Sequence, residues 1–112
     1  MEARAIAKTV RVSPQKARLV INLVKGKNIA EAAAILRLTP NKSGVFIEKV
    51  LKSAAANAVN NHDMNKDLLY VKEAYVDAGP ILKTRLYYRS RGMGFRVLRR
   101  TSHITVVVGE RQ

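Results

Sequence analysis

The sequence contains no cysteine and no tryptophan, and aromatic residues amount to only 5%. Without cysteine, disulfide bonds and thiolate metal sites are excluded. No apolar run reaches the roughly 18–20 residues that a membrane-spanning helix needs. The first residues, MEARAIAKTVRV, lack the apolar core and small-residue cleavage site of a secretory signal. We therefore expect a protein without membrane contact, compatible with a reducing cytoplasm.

Acidic residues are also scarce. Eight Asp and Glu stand against 21 Lys and Arg, which gives a formal net charge of +13. Residues 41–78 hold five charges of each sign, whereas residues 79–103 hold seven basic residues and no acidic one. Such a surplus is typical of proteins that bind a polyanion, most often nucleic acid, and no bulky amphipathic basic helix points to a membrane surface instead. We expect the middle of the chain to form the core and the two flanks to form the contact surface.

Hydrophobic periodicity divides the chain into one strand, three helices and a C-terminal β region. Ser13 and Pro14 suit the start of a helix and Gly26 its end. Asn28 with Glu31 three residues later is a capping-box pattern. The change to β-branched and aromatic residues after residue 68 predicts strands. The expected elements are a strand over residues 2–12, helices over 13–26, 28–39 and about 41–61, and strands from 68 to 108.

The C-terminal region contains a long stretch with one obvious turn signal. From Gly79 to His103 there are 25 residues, and the turn signal RGMG lies at 91–94. The simplest arrangement is a β-hairpin, and a dozen residues per arm at about 3.3 Å each would reach roughly 40 Å, too far to pack wholly on a small core. We predict an α+β fold in a single domain over residues 1–112. Three helices packed on a small antiparallel sheet of about three strands form the globular part, at about 1–78 and 104–112, and a long β-hairpin projects at about 79–103.

The basic residues of the hairpin are mostly arginine, which suits bidentate contact with phosphate; protection of a sheet edge would need only one or two lysines. Tyr87, Tyr88 and Phe95 could stack on unpaired bases or pack against one another across the strands, and both interpretations stay open. A solvated face is the alternative to a second RNA-facing patch near the N-terminus, and we favour the patch. The candidate RNA-binding residues are Lys83, Arg85, Arg89, Arg91, Arg96, Arg99 and Arg100 in the hairpin, and Arg4, Lys8, Arg11, Lys16, Arg18, Lys25 and Lys27 in the N-terminal patch.

The two histidines, His62 and His103, do not indicate an active site. Metal sites usually show clustered His or carboxylate ligands, and neither histidine belongs to such a cluster in the sequence. Paired carboxylates for acid–base chemistry are missing from both basic flanks. We expect no catalytic residue, no metal and no cofactor.

Four segments resemble one known family. SPQKARLV, SAAANAVNN, VDAGP and above all RRTSHITVVV are similar to the large-subunit ribosomal protein L twenty-two family, bacterial type, in the same order over nearly the whole chain. The resemblance implies a non-enzymatic constituent of the cytoplasmic ribosome, present as a monomer beside neighbouring ribosomal proteins. It also implies an α+β domain that binds large-subunit ribosomal RNA near the exit of the nascent-peptide tunnel, with a hairpin that runs inward and helps to line the tunnel wall.

The resemblance extends to particular residues of the hairpin. Arg89-Ser90-Arg91-Gly92 matches the family's Arg-small-x-Gly near the tip, and the segment 99–103 matches its basic-Arg-Thr-Ser-His motif. Met93 stands where a basic or polar residue is usual, Tyr88 stands where many members have Pro, and the stretch 83–89 is one residue longer than common. The match adds Gly92, Thr101, Ser102 and His103 to the RNA-binding candidates, and it implies a tunnel-lining tip, in contact with the nascent polypeptide, formed by Tyr88, Arg89, Ser90, Arg91, Gly92 and Met93.

Two other functions remain as alternatives. One is a DNA-architectural protein that inserts β-ribbon arms into the minor groove. Such arms often carry an apolar residue or a proline as a wedge at the tip, and this sequence has no proline between Ile81 and Gln112. A small nuclease would depend on His62 or His103. The leading expectation is a structural protein that binds ribosomal RNA.

Overall fold

The computed structural model describes residues 2–39, 42–81, 83–89 and 93–110, with the backbone alone for the strands between 83 and 99. Within these residues the chain forms three α-helices and five strands, together with one short 3-10 turn at Lys66–Leu68. The elements in chain order are β1 (Glu2–Val10), α1 (Pro14–Ile21), α2 (Ile29–Leu38), α3 (Lys42–His62), β2 (Leu69–Ala78), β3 (Lys83–Arg89), β4 (Met93–Arg99) and β5 (Ser102–Glu110).

The globular part is built on an antiparallel sheet of three strands in the order β1-β5-β2. In the central strand, Val106 lies opposite Ala5 of β1 and Ala74 of β2. Side chains alternate between the two faces of a strand, so the strand residues of the core lie on one face and most of the exposed strand residues lie on the other. The predicted α+β fold with three helices on a three-stranded antiparallel sheet is confirmed.

The first helix is shorter than its punctuation indicated. Ser13 occupies the N-cap position and Pro14 the first turn, but α1 ends at Ile21. The next N–H groups bond three residues back, Leu23 to Val20 and Val24 to Ile21, so the helix tightens into a turn before Gly26. Gly26 has a φ of +77°, a conformation that glycine adopts without steric cost.

The long helix α3 forms the centre of the core. It packs on β1 and β5, while α1 packs on β2 and α2 packs on α3. Ile47, Leu51, Ala54 and Ala58 are buried on its inner face, and the two alanines allow the helix to approach the sheet closely. The predicted position of this helix, about 41–61, matches Lys42–His62.

The hairpin is a separate two-stranded sheet of β3 and β4, paired from Lys83 opposite Arg99 to Arg89 opposite Met93. β2 ends at Ala78, just before Gly79 and Pro80, where the sequence places the start of the hairpin. Proline has no N–H to donate to a ladder, which explains the break. The molecule measures 63 Å along its longest axis against 25 and 16 Å along the others, as a projecting hairpin requires.

Candidate RNA-binding surface

The two arms of the hairpin are joined where they leave the globular part. The hydroxyl of Thr101 donates to the carbonyl oxygen of Pro80 at 2.6 Å, and the N–H of Gly79 donates to the carbonyl oxygen of Thr101 at 2.9 Å. We call residues 79–80 and 100–103 the foot of the hairpin. These bonds hold the outgoing and the returning chain together at the foot.

Two further hydrogen bonds attach the foot to the end of β1. The hydroxyl of Ser102 donates to the carbonyl oxygen of Val12 at 2.7 Å, and Nδ1 of His103 accepts the N–H of Thr9 at 3.0 Å. Because Nδ1 is the acceptor, the neutral imidazole carries its proton on Nε2. Three consecutive residues therefore bind two backbone segments, residues 79–80 and residues 9–12.

The side chains of Thr101 and Ser102 lie inside the protein. They were expected to contact RNA, but only 1% and 0% of their surfaces are exposed. Since both hydroxyls already donate to backbone carbonyls inside the protein, we assign these side chains to the foot rather than to the RNA-facing surface. His103 is half-buried, and Arg100 beside them is exposed.

Thr9 gives the end of β1 an unusual course. Its φ is +55°, where a β-branched residue is strained, and the pairing of β1 with β5 shifts register between Ala7 and Val10. This irregular turn, held by His103, brings Lys8 and Arg11 beside the foot. The sequence carries no signal for it, because threonine is a poor choice for positive φ.

The predicted N-terminal patch is divided between two ends of the sheet. Nε of Arg18 donates to the carbonyl oxygen of Val76 at 3.1 Å, close to the foot. The turn that carries Lys25 and Lys27 is bound instead to Val71, through two backbone bonds of 2.9 Å each. Val71 lies about 20 Å along β2 from the foot, at about 3.3 Å per residue. Lys8, Arg11 and Arg18 are thus grouped with the foot, Lys25 and Lys27 are remote from it, and Arg4 and Lys16 are exposed between them.

The backbone register of the hairpin places basic residues opposite one another. Lys83 lies opposite Arg99, and no acidic residue occurs between residues 79 and 103. Like charges directly opposite in a ladder destabilise it unless a counter-charge is supplied. Of the other predicted residues, Arg85, Tyr88, Arg89, Met93 and Arg96 lie on β3 or β4, and Ser90, Arg91 and Gly92 fall outside the described residues.

The described residues contain no cluster of metal-ligating side chains. No group of three or more His, Asp or Glu among them could hold a metal ion. His62 and Asp63 are both exposed at the end of α3. A cavity of about 610 Å³ lies between α2 and α3 and has a mainly alanine and aliphatic lining. No helix in the described chain is long and apolar enough to span a bilayer.

Comparison with known families settles the assignment. The sequence profile of the family described as Ribosomal protein L22p/L17e matches residues 5–109 of the chain. The chain belongs to this family. The resemblance drawn from the four sequence segments is confirmed, and a place in the large subunit of the cytoplasmic ribosome follows from membership of the L22p/L17e family.

The chain matches individual relatives over nearly their whole length. The chain is 60% identical to the protein named Large ribosomal subunit protein uL22 of Carboxydothermus hydrogenoformans, with 100% of this chain and 98% of the relative covered. It is 59% identical to the protein of the same name in Thermus thermophilus, at 99% and 97% coverage, and 55% identical to that of Desulforamulus reducens, at 100% and 98%. These names denote ribosomal proteins and not enzymes, in agreement with the expectation of no catalysis.

Proposed function

We propose that the chain is a structural constituent of the large ribosomal subunit that binds ribosomal RNA through its hairpin and the adjoining basic residues. The observation that carries the proposal is the charge of the hairpin. It contains seven basic residues and no acidic residue, and its register places Lys83 opposite Arg99. Such a ribbon lacks its counter-charge in the protein alone, and RNA phosphate supplies it. The L22p/L17e family assignment supports ribosomal RNA over duplex DNA as the partner.

The RNA-binding surface extends from the hairpin onto the globular part. Arg100, Lys8 and Arg11 are exposed around the foot, so a single RNA segment can follow the hairpin and continue onto the end of β1. Lys25 and Lys27, at the other end of β2, would then contact a different segment. Phosphate contacts supply most of the affinity in such an interface, which makes binding strongly dependent on salt.

The foot gives the hairpin a defined direction. Four hydrogen bonds connect residues 79, 101, 102 and 103 to each other and to β1. A hairpin fixed in this way has less orientational freedom to lose when it binds RNA than a loose arm would have. Because the entropy cost of ordering is smaller, binding is tighter. The tethers therefore serve RNA binding although their side chains do not face RNA.

The second part of the proposal concerns location. The globular part, about residues 1–78 and 104–112, lies near the exit of the nascent-peptide tunnel, and the hairpin at about 79–103 runs inward. Residues 88–93 then contribute to the tunnel wall and meet the nascent polypeptide. The family resemblance and the 63 Å length of the molecule support this arrangement. Neighbouring ribosomal proteins complete its surroundings, with one copy per subunit.

Sedimentation and imaging of the large subunit test the two parts separately. The chain should remain with the large subunit in low-salt sedimentation, and its separation there would contradict the proposal as a whole. A variant without residues 83–95 should leave a gap in the density of the tunnel wall. If the density is unchanged, the tunnel role fails while RNA binding stands. Affinities for duplex DNA and for ribosomal RNA are then compared at equal salt. Tighter binding of ribosomal RNA decides against the DNA-architectural alternative, and tighter binding of duplex DNA decides for it.

A further inference from the structure

The helices of the described chain pack on one face of the three-stranded sheet and leave the other face open. All the strand residues in the core cluster, among them Ala5, Ala74 and Val106, point to the helical side. On the opposite side the register aligns rows of three residues across β1, β5 and β2. We call this side the open face; its rows are Arg4–Val107–Glu73 and Ile6–Thr105–Tyr75, followed by His103 and Asp77.

The open face exposes apolar surface. Ile6 and Tyr75 are 47% and 40% exposed, and they flank Thr105, which is only 3% exposed. A cavity of about 380 Å³ lies over Val107, with Arg4, Glu73 and Tyr75 among its lining residues. An aromatic and a branched aliphatic side chain on an uncovered sheet face are typical of surfaces that contact another macromolecule.

Two acidic residues of the open face lie close together on β2. Glu73 and Asp77 flank Tyr75 and are exposed. Neither carboxylate forms an ion pair within the described chain, whereas Lys72, also on β2, is paired with Glu2 of β1. Acidic residues are few on this protein, which has a net charge of +13, and two of the eight lie on this one strand face. They repel RNA phosphate, so the β2 side of the open face is suited to a cationic partner that is not RNA.

We propose that the β2 side of the open face, formed by Glu73, Tyr75 and Asp77, binds an extended segment rich in Lys and Arg that belongs to a neighbouring protein of the large subunit. This inference rests on the proposed function. Glu73 and Asp77 are four residues apart on one strand, which is about 13 Å. Basic residues at positions i and i+4 of an extended peptide have the same spacing, and a guanidinium between them can stack on the ring of Tyr75.

Site-specific photo-crosslinking in purified large subunits tests this proposal. The photoreactive amino acid p-benzoylphenylalanine replaces Tyr75, or Ile6 on the same face should the Tyr75 variant not assemble. We expect a crosslink to a segment of another ribosomal protein in which Lys and Arg outnumber Asp and Glu. The same group in place of Leu38, which is 85% exposed at the end of α2 on the helical side of the sheet, should not give that crosslink.

Charge removal tests the chemistry of the contact. With the crosslinker at Ile6, Glu73→Gln together with Asp77→Asn should lower the crosslink yield roughly two- to ten-fold at low salt, and the difference should shrink at high salt. Glu31→Gln with Asp67→Asn is the matched control, since these exposed acids lie elsewhere. Crosslinks to RNA, to a second copy of the chain or to a neutral or acidic segment would overturn the proposal, as would no crosslink at all. A chain absent from the subunit would instead contradict the proposed function.

Discussion

The hydroxyl of Thr101 donates to the carbonyl oxygen of Pro80 at 2.6 Å, on the residue after Gly79, whose N–H donates to the carbonyl oxygen of Thr101 at 2.9 Å. Gly79 and Pro80 on one arm of the hairpin thus form a small closed ring with Thr101 on the other arm. A Cβ atom on Gly79 would lie 2.5 Å from the Thr101 hydroxyl oxygen, so only glycine fits at this approach.

Gly79→Ala should therefore lower the stability of the chain. The added methyl group displaces the Thr101 hydroxyl and breaks its bond to Pro80, which we expect to cost about 1–3 kcal/mol of unfolding free energy. Urea denaturation of the free chain measures the loss. In the double variant with Thr101→Ala the clash is gone, so the combined loss should be clearly smaller than the sum of the two single losses. Full additivity would contradict the close approach of Gly79 and Thr101.

Ser102→Ala removes the buried tether to β1. The Val12 carbonyl then loses a donor inside the protein, and we expect a loss of about 1–3 kcal/mol by the same measurement. Ser53→Ala is the control, because Ser53 is exposed on α3, where alanine is the better helix former. If both variants unfold at the same urea concentration, Ser102 has no structural role in the foot.

Periodicity and punctuation predicted most of the globular fold because they report directly on local physics. The apolar spacing of Ile47, Leu51, Ala54 and Ala58 identified the buried face of α3, and all four are buried. The foot could not be predicted in this way. Its bonds join Thr9 to His103 across 94 residues and Ser102 to Val12 across 90, and such long-range contacts leave no local pattern.

The basic residues show the same limit of sequence reasoning. Charge counting identified the exposed cations, but it grouped Arg11 with Lys25 and Lys27 because they are near in sequence. The structure separates them by most of the length of β2, since Val71 holds the turn and the foot lies at the far end. Adjacency in a fold depends on strand register, which composition does not encode.

The division of the N-terminal patch predicts a pattern of coupling in RNA affinity. Lys8→Gln with Arg11→Gln removes charge beside the foot, so its effect should be non-additive with that of Arg100→Gln on the same RNA segment. Lys25→Gln with Lys27→Gln should be additive with Arg100→Gln. Binding of the chain to large-subunit ribosomal RNA fragments at fixed salt measures both cycles.

Comparison of the two coupling energies with Arg100 decides whether the two groups of cations bind one RNA segment or two. Equal coupling of both pairs to Arg100 would mean that a single continuous RNA segment runs over the whole globular part. Additivity of both pairs would mean that the foot and the end of β1 do not share an RNA segment.

Glu48 connects α2 to α3 and makes stability depend on pH. Its carboxylate accepts a hydrogen bond from Arg37 at 3.2 Å and lies 3.3 Å from the ammonium group of Lys52. The bond from Arg37, with help from Lys52, holds the pKa of Glu48 below its ordinary value of 4.5. A lowered pKa in the folded state adds stability that is present above pH 4.5 and is lost as the pH falls through the folded value.

Glu48→Gln should thus melt at a lower temperature than the unchanged chain at pH 7, and the two curves should converge in acid. The effect is small because the pair is exposed to solvent, and salt should reduce it. Thermal melts by circular dichroism between pH 7 and pH 3 follow the difference. A difference that stays constant over this range would show that the carboxylate charge is not its cause.

The salt dependence of binding to large-subunit ribosomal RNA tests the RNA-binding role of the hairpin most directly. The intact chain is compared with a variant in which the seven basic residues between 79 and 103 are glutamine, at constant magnesium concentration. We predict a linear fall of log affinity with log salt, and a slope that decreases in the variant by about 0.7–0.9 for each phosphate that the hairpin no longer neutralises. An unchanged slope would contradict the claim that the hairpin holds RNA through its charge.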